Sequence, residues 1–202
     1  EKERGKREFL RITAQNSDLS SNLIRNLLID SKNRMWIATG YGLNLIENLP
    51  TGAAPAQIRN FFSIQNDQDG ISLNDVIHLF EDSKGDIWVA TFGGGINKLR
   101  QLTNSSALFD DYNQFDGLSH NMVYGILEDN DGFLWFSSEN GLSRLNKAGS
   151  SFEVFNSNNG LNFNAFSENT CLKTADGKLL FGGFLGVEVI STEKLHSNLW
   201  QN

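Results

Sequence analysis

Apolar residues in this chain come in short runs, and the runs are separated by stretches rich in Asn, Asp, Ser and Gly. No window sustains the three-and-four spacing of an amphipathic helix, so the pattern predicts strands joined by tight turns. The stretch 117–145, GLSHNMVYGILEDNDGFLWFSSENGLSRL, shows the unit most plainly. An apolar run meets an acidic-glycine turn, a Trp-centred second run follows, and a Gly-Leu pair opens a third. The chain repeats this order. One copy runs from Leu19-Ser20-Ser21-Asn22 through strands over 23–30, 35–39, 42–46 and 57–64, with a looser Pro-containing insertion at 48–56. Another has strands over 75–82, 87–91 and 96–99, and the stretch above ends on a fourth strand at 152–155. The last copy has strands over 165–173 and 186–190, with Leu180 where the others carry Trp. Residues 7–13, REFLRIT, read as one further, lone strand.

Trp36, Trp88, Trp135 and Leu180 are 52, 47 and 45 residues apart, and removing the insertion brings the first interval close to the others. A period in the mid-forties with four short strands per unit predicts an all-β fold of β-propeller blades. The approximate repeats are 16–64, 66–113, 114–157 and 158–192, within a single propeller segment spanning 1–202. The runs LIRNLLI, DVIHLF and MVYGIL are apolar on both faces, as sheets stacked face to face require. Each Trp is placed to fill the wedge between blades. The expected total is sixteen strands, enough for four blades. The pattern leaves open a ring closed by residues 7–13 beside 186–190 and an arc of a larger ring.

Composition narrows the function. The net charge of −7 supplies no basic field for a phosphate backbone, so nucleic-acid binding is not expected. No apolar stretch is long enough to cross a bilayer, and no direct membrane insertion by this segment is expected. The single cysteine, Cys171, sits in an apolar context and reads as a core thiol, which leaves the redox compartment open.

The patterns LSSN…MWIATGYGLN, SLN…FEDSKGDIWVATFGGGIN and LSHN…LEDNDGFLWFSSENGLS resemble the two-component regulator propeller repeat in residue type and order. The fourth copy, with Asn164-Ala165-Phe166, Asp176-Gly177 and Phe181-Gly182-Gly183, resembles the last repeat of that family. The resemblance covers nearly the whole chain, about residues 7–192. It implies the periplasmic sensor region of a membrane-bound hybrid two-component system that carries a histidine kinase elsewhere. It also implies propellers of about seven blades, so that this chain would be an arc of one. Partners implied are an oligosaccharide ligand and either the rest of the sensor propeller or a second copy of the chain.

The search for chemistry is brief. His78, His120 and His196 show no metal-ligand spacing, and no nucleophile elbow or Cys–His pairing occurs. Glu81-Asp82 and Glu128-Asp129 are adjacent strand residues that point to opposite faces, so they read as turn-formers rather than acid–base pairs. Asp129-Asn130-Asp131-Gly132 resembles a calcium loop, but Asn140 stands at its twelfth position. The Gly93–Gly95 triplet lacks the following Lys-Ser/Thr of a phosphate cradle. No catalytic residue, metal or cofactor is expected. A binding role needs side chains that break the repeat, since shared ones serve the fold. Those are Arg25, Asn26, His78, His120, Tyr124 and Glu168, on or near the first strands, which lie closest to a propeller axis. The expectation is a non-catalytic sensor of glycan fragments. The alternative is an interaction scaffold with no small-molecule ligand.

Overall fold

The computed structural model describes residues 10–49, 56–65, 67, 69–149 and 151–192. They form fifteen strands in four antiparallel sheets, and within each sheet the strands follow chain order. The first blade holds β1 (Ile24–Ile29), β2 (Met35–Thr39), β3 (Gly42–Ile46) and β4 (Ile58–Phe61). The second holds β5 (Val76–Glu81), β6 (Ile87–Thr91), β7 (Ile96–Leu102) and β8 (Ala107–Tyr112). The third holds β9 (Val123–Glu128), β10 (Leu134–Ser138), β11 (Gly141–Leu145) and β12 (Phe152–Phe155). The fourth holds three strands, β13 (Cys171–Lys173), β14 (Leu179–Gly183) and β15 (Gly186–Ile190). Strand β1 packs beside β5, β5 beside β9, and β9 beside β13, which makes the first strand of each blade the innermost. A single 3-10 turn, Gln114–Asp116, is the only helical element among the described residues, and no described helix could cross a membrane.

The second strand of each blade explains the stacking. Its side chains alternate between the two neighbouring blades, so it is buried on both faces. Trp36 packs with Val76, Leu79, Ile87 and Val89 of the next blade. Trp88 packs against Val123, Ile126 and Phe136, and Trp135 against Phe163, Phe166 and Phe181. Each Trp also meets an aromatic of its own outer strand: Phe61 at 6.2 Å, Tyr112 at 6.0 Å and Phe155 at 5.1 Å.

The acidic turn serves the same packing. Asp30, Asp82 and Asp129 each accept the indole Nε1–H of the Trp six residues on, at 2.9 Å. The other carboxylate oxygen caps backbone N–H groups two and four residues ahead, Lys84 and Asp86 in the case of Asp82, at 2.9 Å each. The carboxylate thus forms the hairpin and fixes the indole in one group. The turn closes on a left-handed residue, Gly85 (φ 81°) and Gly132 (φ 82°) in two blades and Asn33 (φ 59°) in the first. The fourth blade has lost both partners. Thr174 caps its own turn by accepting Lys178 N–H at 2.9 Å, and Leu180 stands at the Trp position.

The remaining shared residues join blade to blade or hold each lead-in to the third strand of its own repeat. The Gly42, Gly95 and Gly141 N–H groups donate to the Asn74, Asn121 and Asn164 carbonyls of the following repeat at 2.6, 2.9 and 2.8 Å. Asn44, Asn97 and Ser143 on the third strands accept the lead-in N–H groups of Ser20, Ser72 and Ser119 at 2.9, 2.7 and 2.9 Å. Glu81 accepts the Ser31 N–H and hydroxyl of the preceding blade at 2.7 and 2.6 Å, and Glu128 does the same for Ser83 at 2.8 and 2.6 Å. The Glu-Asp pairs are therefore a latch and a cap.

Three expectations are corrected. Residues 10–13 lie in no strand, 7–9 fall outside the described residues, and Ile12 packs on the outer side of the first blade against Leu19, Ile37, Ile46 and Ile58. The fourth repeat's first strand is short, because residues 165–170 form a loop before β13. The run in β1 is not buried on both faces, since Leu27 and Ile29 are 59% and 48% exposed. On the outer face of the fourth blade Leu172, Val187 and Val189 are 61%, 59% and 56% exposed. Among the described residues the first and fourth sheets thus do not stack on one another, and the four blades form an open arc.

Candidate functional site

The inner strands carry a device that the repeat pattern does not announce. In the first three blades the pairing of the first and second strands slips by one residue at Arg25, Ile77 and Tyr124. Such a bulge bends the strand and re-aims the side chains around it. Here it turns Arg25, Asn26, His78 and Tyr124 toward the axis, where they meet a loop from the fourth repeat.

Arg25 is the electrostatic centre. Its Nε and one terminal nitrogen donate to the two carboxylate oxygens of Asp75 at 2.9 and 3.0 Å. The other terminal nitrogen donates to Glu168 at 2.9 Å. This bidentate pair plus a second carboxylate leaves none of the three guanidinium nitrogens without an acceptor. Arg25 and Glu168 lie 143 positions apart, so the bond spans from the first blade to the loop of the fourth.

Asn169 lies next to Glu168 and bonds to the other three blades. Its side-chain oxygen accepts Asn26 Nδ2–H at 2.9 Å and His78 Nδ1–H at 2.8 Å, and its amide donates to the Arg25 carbonyl at 3.3 Å. Its backbone N–H donates to the Tyr124 carbonyl at 2.9 Å. An acceptor oxygen shared in this way assigns the Nδ1–H tautomer to His78. Burial lowers the His78 pKa against the opposing hydrogen bonds from Asn169 and the Ile126 backbone, which keeps the ring neutral at pH 7. Asn169 sits at φ 55°, a left-handed position that Asn tolerates better than other side chains.

Tyr124 extends the network along the third blade. Its hydroxyl donates to Glu139 at 2.8 Å, and its ring centroid lies 6.4 Å from that of Phe92, which is 37% exposed. Burial first, then the bond to Glu139 and the nearby charges of Glu139 and Glu168, push the phenol up to about 12. Phe92 and Glu139 are on the hairpins between second and third strands, so this end of the arc presents Phe92, backed by the buried Tyr124 ring, beside a charged belt.

Five of the six candidates converge on this network: Arg25, Asn26, His78, Tyr124 and Glu168. His120 does not join it. Its Nδ1 accepts the Met122 N–H at 3.1 Å, which shapes its own lead-in loop. The sequence reading missed Asp75, Phe92, Glu139 and Asn169. The signal for Asn169 was present as an insertion: Asn22–Asp30, Asn74–Asp82 and Asn121–Asp129 are each eight residues apart, whereas Asn164–Thr174 is ten.

Other candidate chemistry resolves into structure. Asp129 is engaged by Trp135 and its own turn, and no group of three or more His, Cys, Asp or Glu among the described residues is arranged to hold a metal. The glycine triplet turns a hairpin, where a Cβ on Gly95 would come within 2.1 Å of the Tyr112 carbonyl oxygen. Burial pushes the Cys171 thiol up to about 11, so it stays protonated and unreactive. A cleft of about 160 Å³ lies between the second and third blades at the opposite end, lined by Lys84, Lys98, Tyr112 and Lys147. Its acidic members Asp86 and Asp82 are engaged within the cleft by its own lining residues Lys98 and Trp88.

A family profile described as two component regulator propeller matches residues 18–41, 70–93 and 117–140. The chain belongs to the two-component regulator propeller family. Each matched span runs from a lead-in loop through the Asp turn and Trp strand to the next hairpin, which is the blade-forming part described above. Histidine kinase P4 of Formosa agariphila is 30% identical over 195 residues, covering 89% of this chain and 13% of that protein. The extracellular domain of a hybrid two-component system from B. thetaiotaomicron superposes with a TM-score of 0.79 at 22% identity. That match covers 95% of this chain and 24% of the other. Virginiamycin B lyase from Staphylococcus aureus, an enzyme on a propeller, is more distant, with a TM-score of 0.55 at 16% identity over 83% of this chain and 55% of the lyase. The chain therefore spans a minor part of its two-component relatives. At these identities the solved structures speak for the fold alone.

Proposed function

We propose that this two-component regulator propeller segment is the ligand-sensing part of a periplasmic sensor, that it binds a glycan fragment at the axial mouth, and that it signals to a histidine kinase. The observation that carries this reading is the convergence of repeat-breaking side chains from all four repeats. Every shared side chain has a blade-forming task, whereas Arg25, Asp75, Phe92, Tyr124, Glu139 and Glu168 gather at one end without one. Polar groups that hold each other in place beside an aromatic pair suit a sugar, through hydrogen bonds to hydroxyls and ring contact with its C–H face. Signalling follows from geometry. A ligand that binds better to one arrangement of the Glu168–Asn169 loop shifts the spacing of the first and fourth blades, and it biases whatever abuts them. The segment itself is read as non-catalytic.

A second reading, an interaction scaffold, is favoured by the exposed Leu27 and Ile29 on one outer face and Leu172, Val187 and Val189 on the other. Calorimetric titration against an oligosaccharide panel separates the two. Saturable binding abolished by Phe92→Ala supports sensing at the mouth. Silence across the panel, with concentration-dependent self-association in sedimentation, supports the scaffold. Turnover of any saccharide overturns both.

A further inference from the structure

Building on the sensing role just proposed, we infer that the mouth selects uncharged saccharides against those bearing uronate or sulfate groups. Each repeat contributes one charged group or more to this end of the arc: Arg25 from the first, Asp75 from the second, Glu139 from the third and Glu168 from the loop of the fourth. The sum is three carboxylates against one guanidinium.

That guanidinium is spoken for. Asp75 takes Arg25 Nε and one terminal nitrogen, and Glu168 takes the other, all between 2.9 and 3.0 Å. An incoming carboxylate or sulfate would have to displace Glu168 to reach it, and it would then leave Glu168 unpaired beside a new anion. Glu139 has no cationic neighbour in this network. Its partner is the neutral Tyr124 hydroxyl at 2.8 Å, and after burial, the larger cause, Glu139 and Glu168 both add to the raised pKa of that phenol. Glu139 therefore stands at the hydroxyl of the buried Tyr124, and Phe92, packed on that ring and 37% exposed, offers the accessible face on which a sugar would lie. A sugar hydroxyl can donate to the free lone pairs of Glu139 and Glu168. A uronate at the same place can only face them. The formal charge of −7 for the chain acts in the same direction at longer range.

The test uses matched pairs of oligosaccharides that share a backbone and differ only in uronic acid substitution, titrated calorimetrically into the chain. Any backbone that binds is expected to bind at least tenfold more weakly in its acidic form. The gap is expected to shrink in Glu139→Gln, which keeps a partner for the Tyr124 hydroxyl, and to shrink again in 0.5 M salt for both proteins. Acidic forms that bind as well as or better than neutral ones overturn the inference and leave the sensing role standing. A gap indifferent to Glu139→Gln and to salt overturns the electrostatic cause. Absence of binding by every pair overturns the sensing role and this inference with it.

Discussion

The Trp36 indole nitrogen donates to the Asp30 carboxylate at 2.9 Å, and the same 2.9 Å bond recurs between Trp88 and Asp82 and between Trp135 and Asp129. Where the chain gives up one member it gives up both, since Thr174 replaces the Asp in the blade whose Trp position holds Leu180. The two residues behave as a unit because each would be costly alone. A buried indole N–H without an acceptor, or a buried carboxylate without its donors, is destabilising.

Asp129→Ala is therefore expected to be strongly destabilising. Asp129 is 3% exposed and accepts from Trp135 Nε1 and from the Asp131 and Phe133 backbones. Leaving a buried indole and two turn donors unpaired costs about 3 kcal/mol. Urea denaturation followed by Trp fluorescence measures it. Asp176→Ala, in the equivalent turn of the fourth blade but exposed, should leave the midpoint where it was.

Acid should act through the first of these carboxylates, Asp30. Burial works to raise the Asp30 pKa, but hydrogen bonds from the Arg34 backbone, Trp36 and the Arg34 side chain outweigh it and hold the value below the usual 3.8. A depressed carboxylate stabilises the fold above its unfolded pKa, and that contribution is lost as pH falls through the folded value. Stability measured from pH 5 downward should fall, and Asp30→Asn should flatten that acid limb while lowering stability at pH 7.

At the other end of the scale the phenol of Tyr124, pushed up to about 12, has the opposite sign. A raised pKa on an acid means that the fold favours the neutral form, so its contribution is present below pH 10 and lost between there and pH 12. Tyr124→Phe removes the ionisable group and should therefore lose less stability than the parent over that interval. Denaturant midpoints at pH 9, 10.5 and 11.5 decide it.

How far the sequence went depends on whether a residue repeats. The Trp, the Asp turn and the Gly-Leu-Asn step recur, so their spacing announced the blades and their stacking. Glu81 and Glu128 recur too, and their face of the strand was legible, though their partners Ser31 and Ser83 were not. Asn169 occurs once, inside an insertion, and nothing in a single occurrence says that its side chain and backbone together reach three blades. Phe92 and Glu139 replace each other at equivalent hairpin tips, so they looked like ordinary loop variation. His120 was singled out by residue type, yet its ring is spent within its own loop. The outer faces misled for the opposite reason: Leu27 and Ile29 fit the apolar pattern of a stacked strand whether or not anything stacks there.

Asn169 supplies the sharpest test of the axial network, because its backbone and side-chain roles can be separated. Asn169→Gly keeps the left-handed conformation at φ 55° and the N–H bond to Tyr124, and it deletes the bonds to Asn26, His78 and the Arg25 carbonyl. Leaving those partners unsatisfied should cost about 2 kcal/mol. Asn169→Ala deletes the same bonds and adds left-handed strain of roughly 1 kcal/mol. Ranking the parent, Gly and Ala proteins in urea gives the two contributions by difference. Amide exchange locates them: if Asn169 ties the arc together, the Gly variant should lose protection in β1 and β5, whose bonds to its side chain are deleted, more than in β9, whose bond to its backbone is kept. Loss confined to the loop over residues 165–170 would mean that Asn169 stabilises only its own loop. The first outcome would make the loop the element whose release a ligand at Glu168 could control, since Glu168 and Asn169 share one backbone and Arg25 holds them both.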